Sequence, residues 1–335
     1  MEVSAPALTI EESSQVPAAR RVATRLAQDL GFDEAGVGNV GLVVTEIGTN
    51  ILKHGGGGQI LLLAVREDGI DGLDVIGLDR GQGMPDVTAC LRDGYSTAGS
   101  AGTGLGAIRR LSSDFDIYTV PRHGAALVAR LWSRRRAPHA PGLVVGVAAA
   151  ALAGETVSGD GWALEQTPTR TVLLLVDGLG HGFVAAEAAR EAVRLFRANA
   201  ARTPAEIVKA LHDGLRGTRG AAAAVTEICA DRGLVRFCGV GNVVAILVTP
   251  SGRRQFVSHN GIVGHSARKI VEFSYPWSTD GVLIEHTDGL GTHWDVTGYP
   301  SLLDRSPSLV AGVLYRDFNR GRDDVTVVVA RQARV

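Results

Sequence analysis

The sequence predicts an α+β protein of two domains, an expectation that rests on three observations. The chain has 335 residues, more than one hydrophobic core usually organises. Segments of helical period and short strand-like runs follow one another along it. Residues 133–141, Ser-Arg-Arg-Arg-Ala-Pro-His-Ala-Pro, break the apolar pattern with charge and two prolines, the composition of an exposed connection. The expected division is therefore a domain over residues 1–133, a linker over 134–141 and a second domain over 142–335. There is no internal repeat.

Before the break, Val16 to Asp29 and Asn39 to Lys53 have helical spacing, while Ile60 to Val65, Leu73 to Leu78 and Ala125 to Trp132 have the composition of strands. After it come short β-like runs: Leu143 to Ala148, Thr171 to Val176, Val225 to Cys229, Val235 to Cys238, Val243 to Val248, Val282 to Glu285 and Val325 to Ala330. Two Ala-rich helical segments, Phe183 to Arg197 and Ala205 to Leu215, separate the early strands from the later ones. This order suits a sheet sandwich with helices packed outside it.

Composition narrows the function. The residues are 45% hydrophobic and 21% charged, with a formal net charge of −1. Nothing creates the broad positive field that nucleic acid or an anionic membrane requires, so neither is an expected partner. The run Arg134 to Arg136 reads as a solvated part of the linker. Cys90, Cys229 and Cys238 are odd in number and lack C-x-x-C spacing, which argues against a disulfide framework or a thiolate zinc site and fits a reducing cytoplasm. The first residues, with Glu2, Glu11 and Glu12, do not form a signal peptide. Ala137 to Gly154, interrupted by two prolines and several glycines, suits a buried strand and not a membrane span.

The first domain contains three chemical elements in order. Glu46 and Asn50 are four apart, so on a helix a carboxylate and a carboxamide project from one face. Asp79-Arg80-Gly81-Gln82-Gly83 ends a strand and puts two glycines where the backbone turns tightly or approaches something closely. Alone, that D-x-G-x-G is equally an ordinary turn. Gly99 to Gly106 precedes a helical-looking segment, so free N–H groups there suit phosphates at a helix N-terminus. This series resembles the GHKL ATPase superfamily, within it the RsbT/RsbW type of anti-sigma-factor serine kinases, over about Val16 to Trp132. Asp93 to Thr97 and Arg109 to Leu111 look especially like the RsbT type. The resemblance implies a Bergerat-type α/β sandwich that binds ATP with Mg²⁺. Asn50 would bind the Mg²⁺, Asp79 would accept from the adenine amino group, and Gly81 and Gly83 would line the adenine pocket. The loop Gly102, Thr103, Gly104, Leu105 and Gly106 would close on the phosphates, and Glu46 would be the catalytic base at the attacking serine hydroxyl.

In the second domain, acidic elements recur at strand ends: Gly159-Asp160-Gly161, Val176-Asp177-Gly178, Thr287-Asp288-Gly289 and Arg322-Asp323-Asp324. Each Asp-Gly alone is what a turn selects. Together they are the hard oxygen donors that Mg²⁺ and Mn²⁺ prefer. Their order resembles the PPM-type metal-dependent protein phosphatases, particularly the SpoIIE/RsbU/RsbX branch, over about Leu143 to Gln332. The resemblance implies an α-β-β-α sandwich holding two Mn²⁺ or Mg²⁺ ions. Asp177 would bridge them, with the Gly178 carbonyl and Asp160 near one ion, Asp288 and Asp323 on the other, and Asp324 beside them. The water they activate would attack phosphoserine or phosphothreonine directly. His181 is either a proton donor to the leaving oxygen or a loop histidine held by backbone. Gly239 to Asn242 resembles a structural turn without chemistry.

The two resemblances imply a cytoplasmic regulator of a partner-switching or stressosome pathway, a serine kinase and phosphatase acting on STAS-domain proteins. The rival reading makes the first domain a non-catalytic, ATP-dependent binding module attached to a phosphatase.

Overall fold

Leu8–Ile10 opens the first sheet, a strand that the sequence pattern does not announce because only three residues pair. The computed structural model describes residues 7–84, 86–91, 104–135 and 142–333. The first unit runs on from this strand β1 through α1 (Gln15–Asp29), α2 (Glu34–Asn50), β2 (Gly58–Glu67), β3 (Ile70–Asp79), α3 (Val87–Cys90), α4 (Gly104–Leu111), β4 (Asp114–Thr119) and β5 (Ala125–Trp132). The strands form an antiparallel sheet in the order β1-β2-β3-β5-β4. Between β2 and β3 the turn is Asp68-Gly69, both at positive φ (51° and 75°). That is the primed two-residue hairpin, which matches the twist of the strands and fixes their register.

Period-two alternation sends Ile60, Leu62, Leu73, Val75, Leu127 and Ala129 to one sheet face, where they meet Val16, Ala19 and Ala23 of α1 and Val40, Val43, Val44 and Ile47 of α2. Each such buried branched residue contributes roughly 1.5–3 kcal/mol. The span Glu34–Gly55 is long and apolar enough to cross a membrane, but its residues Val40, Val43, Val44, Ile47 and Ile51 belong to this core.

The alternate residues Leu61, Leu63, Ile76, Leu78, Ala126 and Val128 are buried as well. Their cover comes from far along the chain. The first compact unit contains Ala7–His139 together with Asp295–Arg316, and the second contains Ala140–Trp294 and the chain from Asp317. A Cβ on Gly312 would stand 3.0 Å from Ile76 and 3.4 Å from Leu78. On the same face, the fully buried Asp74 pairs with Arg130 at 2.5 Å and accepts from Ser308 Oγ at 2.8 Å. Tyr118 donates to the Pro300 carbonyl, and the Ser306 N–H donates to Asp116.

The second unit begins with β6 (Leu143–Ala150), β7 (Asp160–Thr167) and β8 (Arg170–Gly178), then α5 (Gly182–Asn199) and α6 (Pro204–Gly214). There follow β9 (Ala221–Cys229), β10 (Leu234–Val240), β11 (Val244–Thr249), β12 (Gly252–Gln255), β13 (Ser258–His259), β14 (Phe273–Pro276) and β15 (Val282–His286). The helix α7 (Pro307–Phe318), most of which belongs to the first unit, leads into β16 (Val325–Gln332). One sheet has the order β13-β10-β9-β8-β7, with β14 also on β10, and the other β12-β11-β15-β16-β6.

Small residues let helix and sheet approach: Ala189 and Ala192 of α5, with Phe196, pack beside Ile207 and Leu211 of α6 onto Val172, Leu174, Val176, Ala221 and Ala223. Thr203 caps α6 in a reciprocal box with Glu206, and Pro204 follows at the first helical position. The sheets meet through polar as well as apolar groups: Thr226 on β9 donates to Glu285 on β15, and Thr287 donates to Asp160.

Candidate nucleotide site and acidic centre

In the first unit, α2 carries Glu46 and Asn50 to its last turns, and the helix continues as a π turn over Ile51–Gly55. Such turns displace side chains locally and are frequent at functional sites. The Asn50 Nδ2 is buried without a hydrogen-bond partner, a donor that a ligand oxygen would satisfy. Gly104, at the start of α4, lies against both residues: a Cβ there would stand 2.9 Å from the Glu46 carboxylate and 3.6 Å from Asn50 Oδ1. Gly106 is buried and Leu105 half-buried on α4; Gly102 and Thr103 lie outside the described residues.

Asp79 ends β3. Its carboxylate accepts from the N–H groups of Gly81 at 2.9 Å and Ala125 at 3.1 Å. Burial raises its pKa, opposed by those bonds and by the nearby charges of Arg316 and His54. Gly81 cannot be anything larger, because a Cβ would stand 2.7 Å from the Gly55 Cα. The chain then reverses at Gly83, φ +70°, and the Met84 N–H donates to Thr119. The π turn therefore ends beside Asp79, at the far end of the helix that bears Glu46 and Asn50.

Sequence reasoning does not find Arg316. Its Nη1 donates to the Asp79 carbonyl at 3.1 Å, and the Arg80 side chain donates to the Arg316 carbonyl. Some 230 residues separate the partners, so no local pattern signals the contact.

In the second unit, four strand ends bring the aspartates together. Asp160 and Asp177 are directly paired across β7 and β8. Asp160 is buried, and its pKa lies well above the carboxylate range through burial and the charges of Asp177 and Asp324. Burial, then Asp288, Asp323 and Asp324, push Asp177 up to about 7. Asp288 is raised by burial and by Asp323, and is opposed by Asn242 and Arg320. Gly289 is required beside it, since any Cβ would collide with the Asp324 carbonyl.

Three aspartates, Asp177, Asp288 and Asp323, are partly exposed, whereas Asp160 and Asp324 are buried. The two buried ones are held from behind. Thr287 donates to Asp160 at 2.7 Å and accepts from the Thr326 N–H. Asp324 accepts from the N–H groups of Leu152 and Gly159, both at 2.6 Å, so it pins both ends of the β6–β7 connection. Gly178 is also buried, its N–H on the Gly159 carbonyl at 3.0 Å.

Among the described residues, no three His, Cys, Asp or Glu side chains are close enough in this structure to enclose a metal ion. The donor set still fits one. Every member is a hard oxygen, and burial together with mutual repulsion raises the pKa values of Asp160, Asp177, Asp288 and Asp324, a cost that a divalent cation between them would offset.

Two supporting residues lay outside the sequence reading. Asn242 donates to Asp288 at 2.5 Å, although the turn it belongs to looked purely structural. His286 is fully buried, hydrogen-bonded through Nδ1 to the Thr287 carbonyl and accepting at Nε2 from Trp294 at 3.1 Å, and burial pushes its pKa down to about 4. His181 is paired with the Glu155 carboxylate at 2.6 Å, a third alternative to the two readings of the sequence.

The chain is similar to known proteins over two separate stretches. Residues 10–131 match the histidine kinase-like ATPase domain, and residues 167–333 match stage II sporulation protein E. Over 119 residues the chain is 34% identical to the serine/threonine-protein kinase RsbT of Bacillus subtilis (strain 168), covering 36% of this chain and 90% of RsbT. Over 181 residues it is 24% identical to the phosphoserine phosphatase RsbX of the same organism, covering 53% and 89% of the two chains. A crystal structure of RsbX in complex with magnesium shares the fold, with TM-score 0.51 and 21% identity over 59% of this chain and 99% of that one. A structure described with the bacterial stressosome, a modular system adapted to control secondary messenger signalling, aligns with TM-score 0.53 and 27% identity, covering 56% of this chain and 99% of the other.

Proposed function

From a chain that belongs to the histidine kinase-like ATPase family over residues 10–131 and to the SpoIIE family over residues 167–333, we propose a cytoplasmic regulator that sets the serine phosphorylation of a STAS-domain partner in a partner-switching pathway. The second unit removes the phosphate and the first, with ATP and Mg²⁺, adds it. The observation that supports the phosphatase half is the convergence of Asp160, Asp177, Asp288, Asp323 and Asp324 from four strand ends. Two Mn²⁺ or Mg²⁺ ions held there would supply Lewis-acid chemistry to water and phosphoryl oxygens.

The chain's own groups do the positioning. Asn242 aims Asp288, Thr287 aims Asp160, and Asp324 fixes the loop that leads into β7. In the ATP site, Asp79 would offer an acceptor to the adenine amino group, Asn50, whose Nδ2 is buried without a partner, would hold the Mg²⁺, and Glu46 would act as base to the partner's serine hydroxyl. General-base action of this kind contributes about 10²–10⁴-fold.

The test is Mn²⁺-dependent release of phosphate from a phosphoserine STAS protein. Wild type should release it and Asp177→Asn should not; equal activity in both would remove the acidic centre from the reaction.

One observation favours a second reading, in which ATP also controls the phosphatase. Arg316 grips the Asp79 carbonyl, and two residues on, the Phe318 carbonyl accepts from the Gly291 N–H while the Arg320 N–H donates to Gly289. A short stretch of chain thus links the adenine aspartate to the loop of Asp288.

A further inference from the structure

Large apolar side chains left in water are uninformative when scattered, and informative when they gather beside a reactive centre. Among the described residues, seven large hydrophobics are conspicuously exposed, and three of them fall within six positions: Leu179 at 39%, Phe183 at 67% and Val184 at 46%. Those three follow Asp177 directly. The backbone explains why they point outward. Gly180 and Gly182 have φ of +90° and +74°, so the chain leaving β8 turns sharply into α5. Ala185 and Ala186 take the inward positions of the first turn, leaving Phe183 and Val184 on the outward ones. Nothing in the packing of the unit requires a phenylalanine there.

A cation stands next to this rim. Arg219 lies two residues before β9, with its Nη1 3.1 Å from where a Cβ of Gly180 would be. The Leu179 N–H, donating to the Gly220 carbonyl at 3.1 Å, ties the two chain segments together. Arg219 has no hydrogen-bond or ion-pair partner among the described residues, although the five aspartates of the acidic centre lie in the same unit. A free guanidinium is a bidentate receptor for a carboxylate.

We propose that Leu179, Phe183, Val184 and Arg219 form the docking rim for the protein substrate. The partner presents its phosphoserine to the acidic centre from a segment whose flank carries apolar side chains for Phe183 and an acidic residue for Arg219. The proposal rests on the phosphatase reading above and deepens it by naming what selects the substrate. Continuity with the centre and the unpaired charge of Arg219 favour this occupant, and a small, partly apolar rim suits a transient complex with aromatic and arginine anchors.

The experiment compares the full chain with its Phe183→Ser, Arg219→Ala and Val257→Ser variants, the last an exposed apolar residue (47%) outside the rim. Each is assayed with Mn²⁺ on p-nitrophenyl phosphate and on a STAS protein phosphorylated on serine. Phe183→Ser and Arg219→Ala should lower kcat/KM for the phosphoprotein at least tenfold, through KM, while Phe183→Ser stays within twofold of wild type on p-nitrophenyl phosphate. Val257→Ser should change neither. Undiminished phosphoprotein activity in Phe183→Ser, or an equal loss on both substrates, overturns the rim. If wild type hydrolyses neither substrate, the phosphatase reading fails, and affinity decides the rim alone. Calorimetric binding of the phosphoprotein should then weaken tenfold in Phe183→Ser, and equal affinity would overturn the proposal.

Discussion

Glu285 shows how a single buried residue sets the pH response of this fold. It lies between the sheets, bonded to Thr226 through one oxygen while the other has no partner, and burial pushes its pKa up to about 7. An acid raised in this way is preferentially protonated in the folded state. Its penalty is absent below the ordinary carboxyl range, grows as pH rises, and is complete above about 7. Glu285→Gln should therefore leave unfolding stability near wild type at pH 4 and raise it by roughly 3 kcal/mol at pH 8, as urea titrations at the two pH values would reveal. Asn242 gives a second prediction: Asn242→Ala should weaken Mn²⁺ binding about 10–100-fold, the usual loss when an outer partner of a ligand is removed, measured by calorimetry. The aspartates were legible in the sequence because Asp-Gly recurs after apolar strands. Asn242 and His286 were not, since their partners Asp288 and Trp294 meet them only once the strand ends and loops have folded.

At the level of elements, α7 is the instructive one. All ten residues Pro307–Arg316 are buried, so the helix has no polar stripe and its period is invisible to a pattern search. β1, β12, β13 and β14 were missed for the opposite reason, as runs of two to four residues hold too little pattern to read. β4 and β7 were missed although they are longer, because charged and polar residues interrupt their apolar runs. The other long strands and the amphipathic helices were legible. The Asp68-Gly69 hairpin signal was present in the sequence, but the register it fixes emerged only with the paired strands. Contacts made by the α7 segment should dominate the stability of the first unit. Asp74→Ala leaves Arg130 buried without its partner and should cost about 3–5 kcal/mol. Arg66→Ala breaks a surface pair with Asp71 whose side chains are 63% and 34% exposed, and should cost less than about 1 kcal/mol. Chemical denaturation of both variants makes the comparison.

For the molecule as a whole, residues 295–316, which fall inside the stretch that matches the SpoIIE model, belong to the first compact unit. Binding linkage is reciprocal: if ATP shifts the Mn²⁺ midpoint, Mn²⁺ must shift ATP affinity by the same factor. A shift of about fivefold or more is expected in wild type and should vanish in Arg316→Ala, which fluorescence titrations of each ligand in the presence of the other would show. The central claim, a kinase and a phosphatase in one chain, is tested most directly by intact mass. The Asp177→Asn protein, which should be unable to erase its product, is incubated with ATP, Mg²⁺ and a STAS protein encoded beside it. A gain of one phosphoryl mass on the STAS protein, lost when Glu46→Gln is added, is the predicted result; no gain while ATP still binds would contradict it and leave a phosphatase governed by an ATP-binding domain.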